Sequence, residues 1–327
     1  MQVLPRILKA IFRATAAAAV ITIFLLTILL FPVISTPDFQ AAKGELRDAT
    51  VTGDFQLADS RILEISLRST TDLTVDLALR IPKEPLPDRP LLLMIAGQET
   101  GRKAVELLPD TRGVAVAALG YPFGVIPHRD GLAMARALPR IQRGILDTPA
   151  GVMLALDHLV AREDLAPERV ELAGISFGAF LAAIPTVLDP RIERLWLIHG
   201  SGEPQEVIEA GLRERIPFAP VRHGVAWLLA TAAGAHHLMP ERWVGQVSPR
   251  PLVVVSALED SALPPGPVDV LHRAVLPPAE ILWSPGDHVH PKRPEIVDFI
   301  TELMFRRISG DATADTPISL SLPSAGL

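Results

Sequence analysis

The chain has 327 residues, of which 49% are hydrophobic and 21% are charged, with a formal net charge of -6 and no cysteine. The lack of cysteine excludes disulfides, cysteine-ligated metal centres and a thiol nucleophile. The acidic balance, 31 Lys and Arg against 37 Asp and Glu with no basic run, argues against nucleic-acid binding. The length and apolar content suit an ordered domain of the size of an enzyme.

The N-terminal segment from Ala14 to Ile34 carries no charge and is long enough to cross a bilayer as a helix. Three cationic residues precede it and Asp38 follows it, so the positive-inside rule predicts a cytoplasmic N-terminus. We expect residues 1–36 to form a basic stub and an uncleaved anchor, with the rest of the chain on the outer, periplasmic or extracytoplasmic side. The alternative is secretion after signal cleavage. The uncharged run is longer than the apolar core of a usual signal peptide, and no A-x-A cleavage site follows it before Lys43, so we prefer the anchor.

The chain then changes to a strand pattern after residues 37–44, which we interpret as a linker. Two segments alternate apolar and polar residues with a period of two, which predicts antiparallel strands over 62–67 and 73–79. Two more are apolar without alternation, as strands buried on both faces are, at 91–96 and 114–119. Such strands need helices on both faces of their sheet.

Helices and strands alternate over the rest of the chain. Predicted strands lie at 170–174, 195–198, 252–256 and 281–283, and predicted helices at 147–159, from 178 onward, at 268–275 and at 295–306. This order predicts an α/β domain over residues 45–308 with a doubly wound, mostly parallel sheet. Residues 203–247 interrupt the alternation and predict a helical cap insertion, while 309–327 is a polar tail that we expect to be flexible.

The sharpest local motif is Gly174-Ile175-Ser176-Phe177-Gly178, which lies between a predicted buried strand and a predicted helix. It matches the nucleophile elbow, in which a tight turn exposes a serine hydroxyl above the sheet. Glycines suit the two flanking positions because side chains there would collide with neighbouring backbone. A surface serine in a glycine-rich turn is the alternative.

A serine nucleophile needs a base and an acid that orients the base, and both types occur at later strand ends. Glu259 and Asp260 follow one predicted strand, and His288 and His290 follow the next. A metal site at the His-x-His pair is an alternative, but no further ligands cluster with it in the sequence. We therefore expect no metal and no cofactor.

The order Ser176, Asp260, His288 resembles that of the α/β-hydrolase family, and the resemblance extends over about residues 45–308. Asp260 is preferred to Glu259 because its Asp-x-x-Leu-Pro spacing resembles the acid loop of that family. His288 is preferred to His290 because it takes the family's Gly-x-His place. Residues 247–251 are similar to the esterase and prolyl-oligopeptidase-like branches.

The resemblance also implies an oxyanion hole made by two backbone N–H groups. One would be that of Phe177, directly after the nucleophile. The other would come from the loop after residues 91–96, where Gln98 is the candidate. The chain has Ala96-Gly97-Gln98 where many members of the family have His-Gly.

The sequence thus predicts a membrane-anchored serine hydrolase that cleaves small carboxylic esters through an acyl-enzyme. A peptidase, thioesterase or acyltransferase would use the same triad, so these remain alternatives. A hydrolase-fold module without activity, tethered as a binding or scaffold protein, is the alternative from another class. The sequence does not predict the oligomeric state.

Overall fold

The computed structural model describes residues 37–124 and 131–310, together with Thr15 and Thr22. Apart from these two threonines, the predicted membrane span from Ala14 to Ile34 lies outside the described residues, as does the predicted tail beyond residue 310. No helix in the described part of the chain is long and apolar enough to cross a membrane.

The strands of the described residues form one sheet. Their bounds are β1 Leu46–Gln56, β2 Ser60–Ser69, β3 Thr74–Pro82, β4 Pro90–Ile95, β5 Ala115–Leu119, β6 Arg169–Ile175, β7 Ile192–Ile198, β8 Leu252–Ala257 and β9 Ala279–Ser284. The order across the sheet is β1-β2-β3-β5-β4-β6-β7-β8-β9. The first three strands are antiparallel, β5 runs antiparallel to β3, and β4 to β9 run parallel. The predicted α/β fold with a mostly parallel sheet is confirmed.

The strand residues explain this arrangement. Every residue of β4, β5 and β8 is buried, which matches their unbroken apolar sequence and their place inside the sheet. Strand β2 instead alternates between buried and more exposed residues along most of its length, as expected near an antiparallel edge.

The helices cover both faces of the sheet. Their bounds are α1 Phe39–Lys43, α2 Gly131–Val160, α3 Ala183–Leu188, α4 Pro204–Gly211, α5 Ala219–Ala232, α6 Ala235–Leu238, α7 Pro240–Trp243, α8 Pro265–Ala274 and α9 Pro294–Ile308. Met153 of α2, Ile184 of α3 and Leu271 of α8 belong to the hydrophobic core of one face. The core of the other face includes Ile300 of α9 and Ala104, which lies in a 3-10 turn.

Within the segment predicted as a linker, residues 37–44, Phe39–Lys43 form a short helix that is docked on the domain. Asp38 caps α1 by accepting a hydrogen bond from the backbone N–H of Ala41 at 2.9 Å. Phe39 is 5% exposed and its ring meets that of Trp243 edge to face at 6.3 Å between centroids. The Phe39 ring thus helps to dock a segment whose overall composition is that of a linker.

Helix α2 begins sixteen residues before the predicted start at Asp147, although it contains Pro139 and Pro149. Each proline lacks an N–H, so the helix forgoes one backbone hydrogen bond at each position. Further along, the segment predicted as a helical insertion, residues 203–247, contains α4 to α7.

Candidate active site

The turn after β6 places Ser176 in an uncommon backbone conformation. Ser176 has a φ of 55°, the left-handed region, and begins a 3-10 turn that ends at Phe180. The flanking glycines leave no room for a side chain. A Cβ at Gly178 would lie 1.8 Å from the carbonyl oxygen of Ile95, and one at Gly174 would lie 2.6 Å from the Cβ of Ala182. The turn therefore has the strained strand-to-helix geometry expected of a nucleophile elbow.

The loops after β8 and β9 bring the other two preferred residues to this serine. The Nε2 atom of His288 lies 2.8 Å from the hydroxyl oxygen of Ser176. Its Nδ1 atom lies 2.8 Å from a carboxylate oxygen of Asp260. The three side chains thus form a continuous hydrogen-bonded relay at the carboxyl ends of the parallel strands. Ser176, His288 and Asp260 are the residues that the sequence predicted as nucleophile, base and acid.

The two runner-up residues have other positions. Glu259 is exposed, and its backbone N–H donates to the carbonyl oxygen of Gly286 at 3.0 Å. His290 accepts a hydrogen bond at Nδ1 from the backbone N–H of Lys292 at 3.1 Å. His290 lines the same cavity as Ser176, whereas the relay itself runs through His288.

Several hydrogen bonds hold Asp260 ionised. Burial alone would raise the pKa of this carboxyl, but the hydrogen bond and charge of His288 outweigh burial and lower it below its ordinary value. The backbone N–H groups of Ala262 and Leu263 add to this, donating to the other carboxylate oxygen at 2.9 and 2.8 Å. The acid is therefore in the charged state that an imidazolium needs as its partner.

The loop that carries His288 is itself fixed by Asp287. One oxygen of Asp287 accepts the backbone N–H groups of Ser261 and His288 at 2.7 and 2.6 Å. These bonds lower the pKa of Asp287 to about 2. Arg293 donates to the other oxygen of Asp287 and to the carbonyl oxygen of His288. Asp287 thus ties the acid loop to the histidine loop.

His199 is a further part of the site. It lies at the end of β7, 1% exposed, with its ring centroid 5.4 Å from that of His288. Its Nδ1 accepts the N–H of Val289 at 2.7 Å, so the proton is on Nε2, which lies 2.8 Å from the hydroxyl of Ser284. Burial, and then the charge of His288, lower the pKa of His199 to about 4. His199 is therefore a neutral support for the histidine loop.

The position of His199 provided a signal in the sequence. It directly follows a predicted parallel strand next to the strand of Ser176. Polar residues at the carboxyl ends of adjacent parallel strands meet at one edge of the sheet. That rule places His199 near the nucleophile, without showing which atoms it contacts.

Ligand atoms of His199, Asp260 and His288 lie within 4.8 Å of one another, so we tested whether the set suits a metal ion. Each of these side chains already makes the hydrogen bonds of the relay or of the loop support. A metal would have to displace them, and His290 does not belong to the cluster. The geometry fits a hydrogen-bonded relay better than a ligand set.

The two predicted oxyanion donors lie beside the nucleophile. Phe177 and Gln98 both line the cavity onto which Ser176 and His288 open. The loop of Gln98 is close to the serine, because a Cβ on Gly97 would be 3.9 Å from the Cβ of Ser176. The hydroxyl of Tyr121 donates to the carbonyl oxygen of Ala96, and burial raises the pKa of this phenol. The hydrogen bond from Tyr121 fixes Ala96, the residue at which the Gln98 loop begins.

The cavity has a volume of about 320 Å³ and lies between α9 and the chain that follows β4. The cap residues Trp227 and Leu229 are 53% and 41% exposed and line other depressions. The cavity at Ser176 is therefore lined by residues of the sheet domain and not by these two cap residues.

No protein-family model matches the chain, and no curated protein matches it. Among solved structures, an acetyl xylan esterase from Paenibacillus sp. R4 is similar with a TM-score of 0.59 and 17% identity, over 84% of this chain and 92% of that one. A cold-adapted esterase from an Arctic intertidal metagenomic library has a TM-score of 0.56 and 19% identity, over 79% and 99% of the two chains. The 2,6-dihydroxy-pseudo-oxynicotine hydrolase has a TM-score of 0.53 and 16% identity, over 81% and 72%. Together with the sheet order and the serine turn, these similarities show that the chain has the α/β-hydrolase fold.

Proposed function

We propose that this protein is a serine hydrolase that cleaves carboxylic esters through an acyl-enzyme. The observation that carries the proposal is the relay from Ser176 through His288 to Asp260, with a hydrogen bond of 2.8 Å at each step. The relay opens onto a mainly apolar cavity, as a site for a small ester requires. Two of the similar solved structures are named as esterases, which favours esters over amides or thioesters.

The geometry suggests how each group acts. The hydroxyl oxygen of Ser176 forms a bond to the ester carbonyl carbon while its proton passes to Nε2 of His288. Asp260 holds the ring and stabilises the imidazolium. When the carbon–oxygen bond to the alcohol breaks, His288 returns the proton to the departing oxygen. Water then attacks the acyl-enzyme by the same route and releases the carboxylic acid and free Ser176.

The negative charge that develops on the carbonyl oxygen needs fixed donors. We assign these to the backbone N–H groups of Phe177 and Gln98, two residues that line the cavity together with Ser176. Because backbone amides do this work, a histidine before Gly97 is not required.

Hydrolysis of p-nitrophenyl butyrate tests the proposal against the alternative of an inactive binding module. We expect turnover by the wild type and a loss of at least about a thousandfold in Ser176→Ala and His288→Ala. Ser248→Ala is the control, since Ser248 donates to the carbonyl oxygen of Pro277 and lies outside the cavity. Equal rates in wild type and Ser176→Ala would contradict the catalytic assignment and favour the module.

We also propose that residues 1–36 anchor the protein in a membrane, with the catalytic domain on the outer side. The support is the uncharged run from Ala14 to Ile34 and the docking of α1 a few residues later. Lys43 of α1 pairs with Asp157 at 2.6 Å, and Asp157 pairs with Arg191 at the start of β7. Helix α1 therefore lies at the amino ends of the strands, opposite the site.

Carbonate extraction of membranes from cells that make the full chain tests the anchor. The full chain should stay with the membranes, and a chain that begins at Pro37 should be soluble. Protease added to intact spheroplasts should degrade the domain if it faces outward. A mature protein that begins after residue 34 would instead support cleavage and secretion.

A further inference from the structure

The cavity at Ser176 has a polar end and an apolar interior. Ser176 and His288 lie at the polar end. The apolar side chains come from β4, from residues 101–108 and from α9: Met94, Ala104, Leu107, Leu108, Ile300 and Met304. Five of these six are less than a tenth exposed, and only Leu107 at the rim is open to solvent.

The connection between β4 and β5 explains why this space exists. Its residues, 96–114, all of which the structure describes, contain as their only helical element a 3-10 turn of six residues, Gly101–Glu106, where a longer helix is the usual crossover between parallel neighbours. In the described part of the chain, this face of the sheet is covered by that turn and by α9. The gap between the two covers is the cavity.

Hydrogen bonds from two arginines hold both walls in place. Arg80, 4% exposed, donates to the carbonyl oxygens of Val105 and Leu108 at 3.4 and 2.6 Å and so fixes the 101–108 wall to β3. Arg112, just beyond this wall, donates to both carboxylate oxygens of Glu302 in α9 at 2.6 and 2.8 Å. The cavity is therefore preformed and does not depend on a ligand to open it.

The charges of the lining residues limit which chemical groups the cavity can bind. None of the cavity-lining residues that the structure describes is Lys or Arg, and the acidic one, Glu99, is exposed at the rim. A carboxylate or phosphate in the apolar interior would lose its hydration without gaining a cationic partner. The interior thus favours an uncharged hydrocarbon group.

The volume sets the length of that group. A methyl group is close in size to a single water molecule and would fill only a small part of the 320 Å³. We infer that the cavity between the 101–108 wall and α9 binds the uncharged hydrocarbon chain of an ester, several carbons longer than acetyl. The inference rests on the proposed function and names the substrate class for the same site.

Two ester series test the inference and show which side of the ester enters the cavity. The first is p-nitrophenyl acetate, butyrate, hexanoate and octanoate, which varies the acyl chain. The second is ethyl, butyl, hexyl and octyl acetate, which varies the alcohol. We expect kcat/KM to rise by roughly fourfold for each added methylene, up to the length that fills the cavity, in one of the series. A flat or falling profile in both series would overturn the inference.

Two variants place the effect in this cavity. Ala104→Phe fills the interior with a ring and should lower the ratio of kcat/KM for the longest ester to that for the shortest by at least about tenfold. Leu107→Trp acts at the exposed rim and should reduce the preference in the same direction if Ala104→Phe does not fold. Ala230→Phe is the matched control: Ala230 is also 6% exposed but lines a separate depression in the cap. An unchanged chain-length profile in a folded Ala104→Phe or Leu107→Trp protein would overturn the inference.

Labelling of Ser176 by a fluorophosphonate separates this inference from the proposed function. If the wild type is labelled but kcat/KM does not rise with chain length in either series, the hydrolase assignment stands and the hydrocarbon site is wrong. If a folded wild type is not labelled and turns over no ester, both are wrong.

Discussion

The alpha carbon of Gly178 faces the carbonyl of Ile95 so closely that a Cβ at this position would lie 1.8 Å from the oxygen. Ile95 is the last residue of β4, and Gly178 follows the nucleophile by two residues. This approach joins the serine turn to the strand that leads into the Gln98 loop. The nucleophile and one predicted oxyanion donor are therefore positioned by one contact between backbones.

Gly178→Ala should prevent the serine turn from forming. The added methyl group would collide with backbone atoms, which cannot rotate away as a side chain can. We therefore expect the free energy of unfolding to fall by roughly 3 kcal/mol or more, with loss of esterase activity. Urea denaturation measures this. Gly224→Ala is the control, because Gly224 lies in α5 with no heavy atom within 4 Å of its added Cβ, and alanine should stabilise this helix slightly. Equal changes in the free energy of unfolding for the two substitutions would contradict the requirement for glycine at position 178.

Asp260→Asn should keep the fold and remove most of the activity. The amide cannot stabilise an imidazolium as the carboxylate does, so kcat should fall by about three to four powers of ten. Glu259→Gln changes the adjacent, exposed acid in the same way and should leave kcat within about twofold. The ratio of the two kcat values for one ester measures the difference. A larger loss in Glu259→Gln would make Glu259 the acid.

Arg80→Met should destabilise the wall of the cavity. Without the guanidinium, the buried carbonyl oxygens of Val105 and Leu108 lose their donor, which costs about 2–3 kcal/mol. Arg61→Met on the neighbouring strand removes a solvent-exposed pair with Asp54 and should lower the stability much less than Arg80→Met does. Thermal unfolding of both variants gives the comparison, and equal Tm values would show that Arg80 does not support the wall.

Acid should destabilise the protein partly through His199. The folded state lowers the pKa of His199 from 6.5 to about 4, so between these values the unfolded state binds more protons. The free energy of unfolding therefore falls as pH drops through this window, by up to about 3 kcal/mol from this group. His199→Gln, which cannot titrate, should lose less stability between pH 7 and pH 4.5 than the wild type. Urea denaturation at both pH values measures this, and parallel losses would contradict the assignment.

The sequence was most informative where apolar pattern and turn chemistry agree. Strand β4 and strand β8 are unbroken apolar runs, and both lie inside the sheet as predicted. The serine turn was found because its two glycines are required by close backbone contacts. The carboxyl ends of parallel strands narrow the acid and the base to two adjacent pairs of residues, and the resemblance to the α/β-hydrolase family selects Asp260 and His288 from them.

Other features depend on contacts that a local pattern does not contain. Most residues of β1 are exposed, so this strand has no clear alternation to predict it. The helix α1 depends on the meeting of Phe39 with Trp243, two residues far apart in the chain. The cavity exists because the turn at 101–106 and α9 leave a gap between them on one face of the sheet. The sequence does not show this gap, because the two elements are far apart in the chain.

The most direct test of the central claim is intact-mass analysis of the domain from Pro37 onward after exposure to a fluorophosphonate, with Ser176→Ala and His288→Ala treated alongside. A serine activated by a histidine reacts quickly, whereas an ordinary serine does not. The account predicts one adduct on the wild type and none on either variant within the same time. A folded wild type that gains no adduct, or a Ser176→Ala protein that gains the same one, would contradict it.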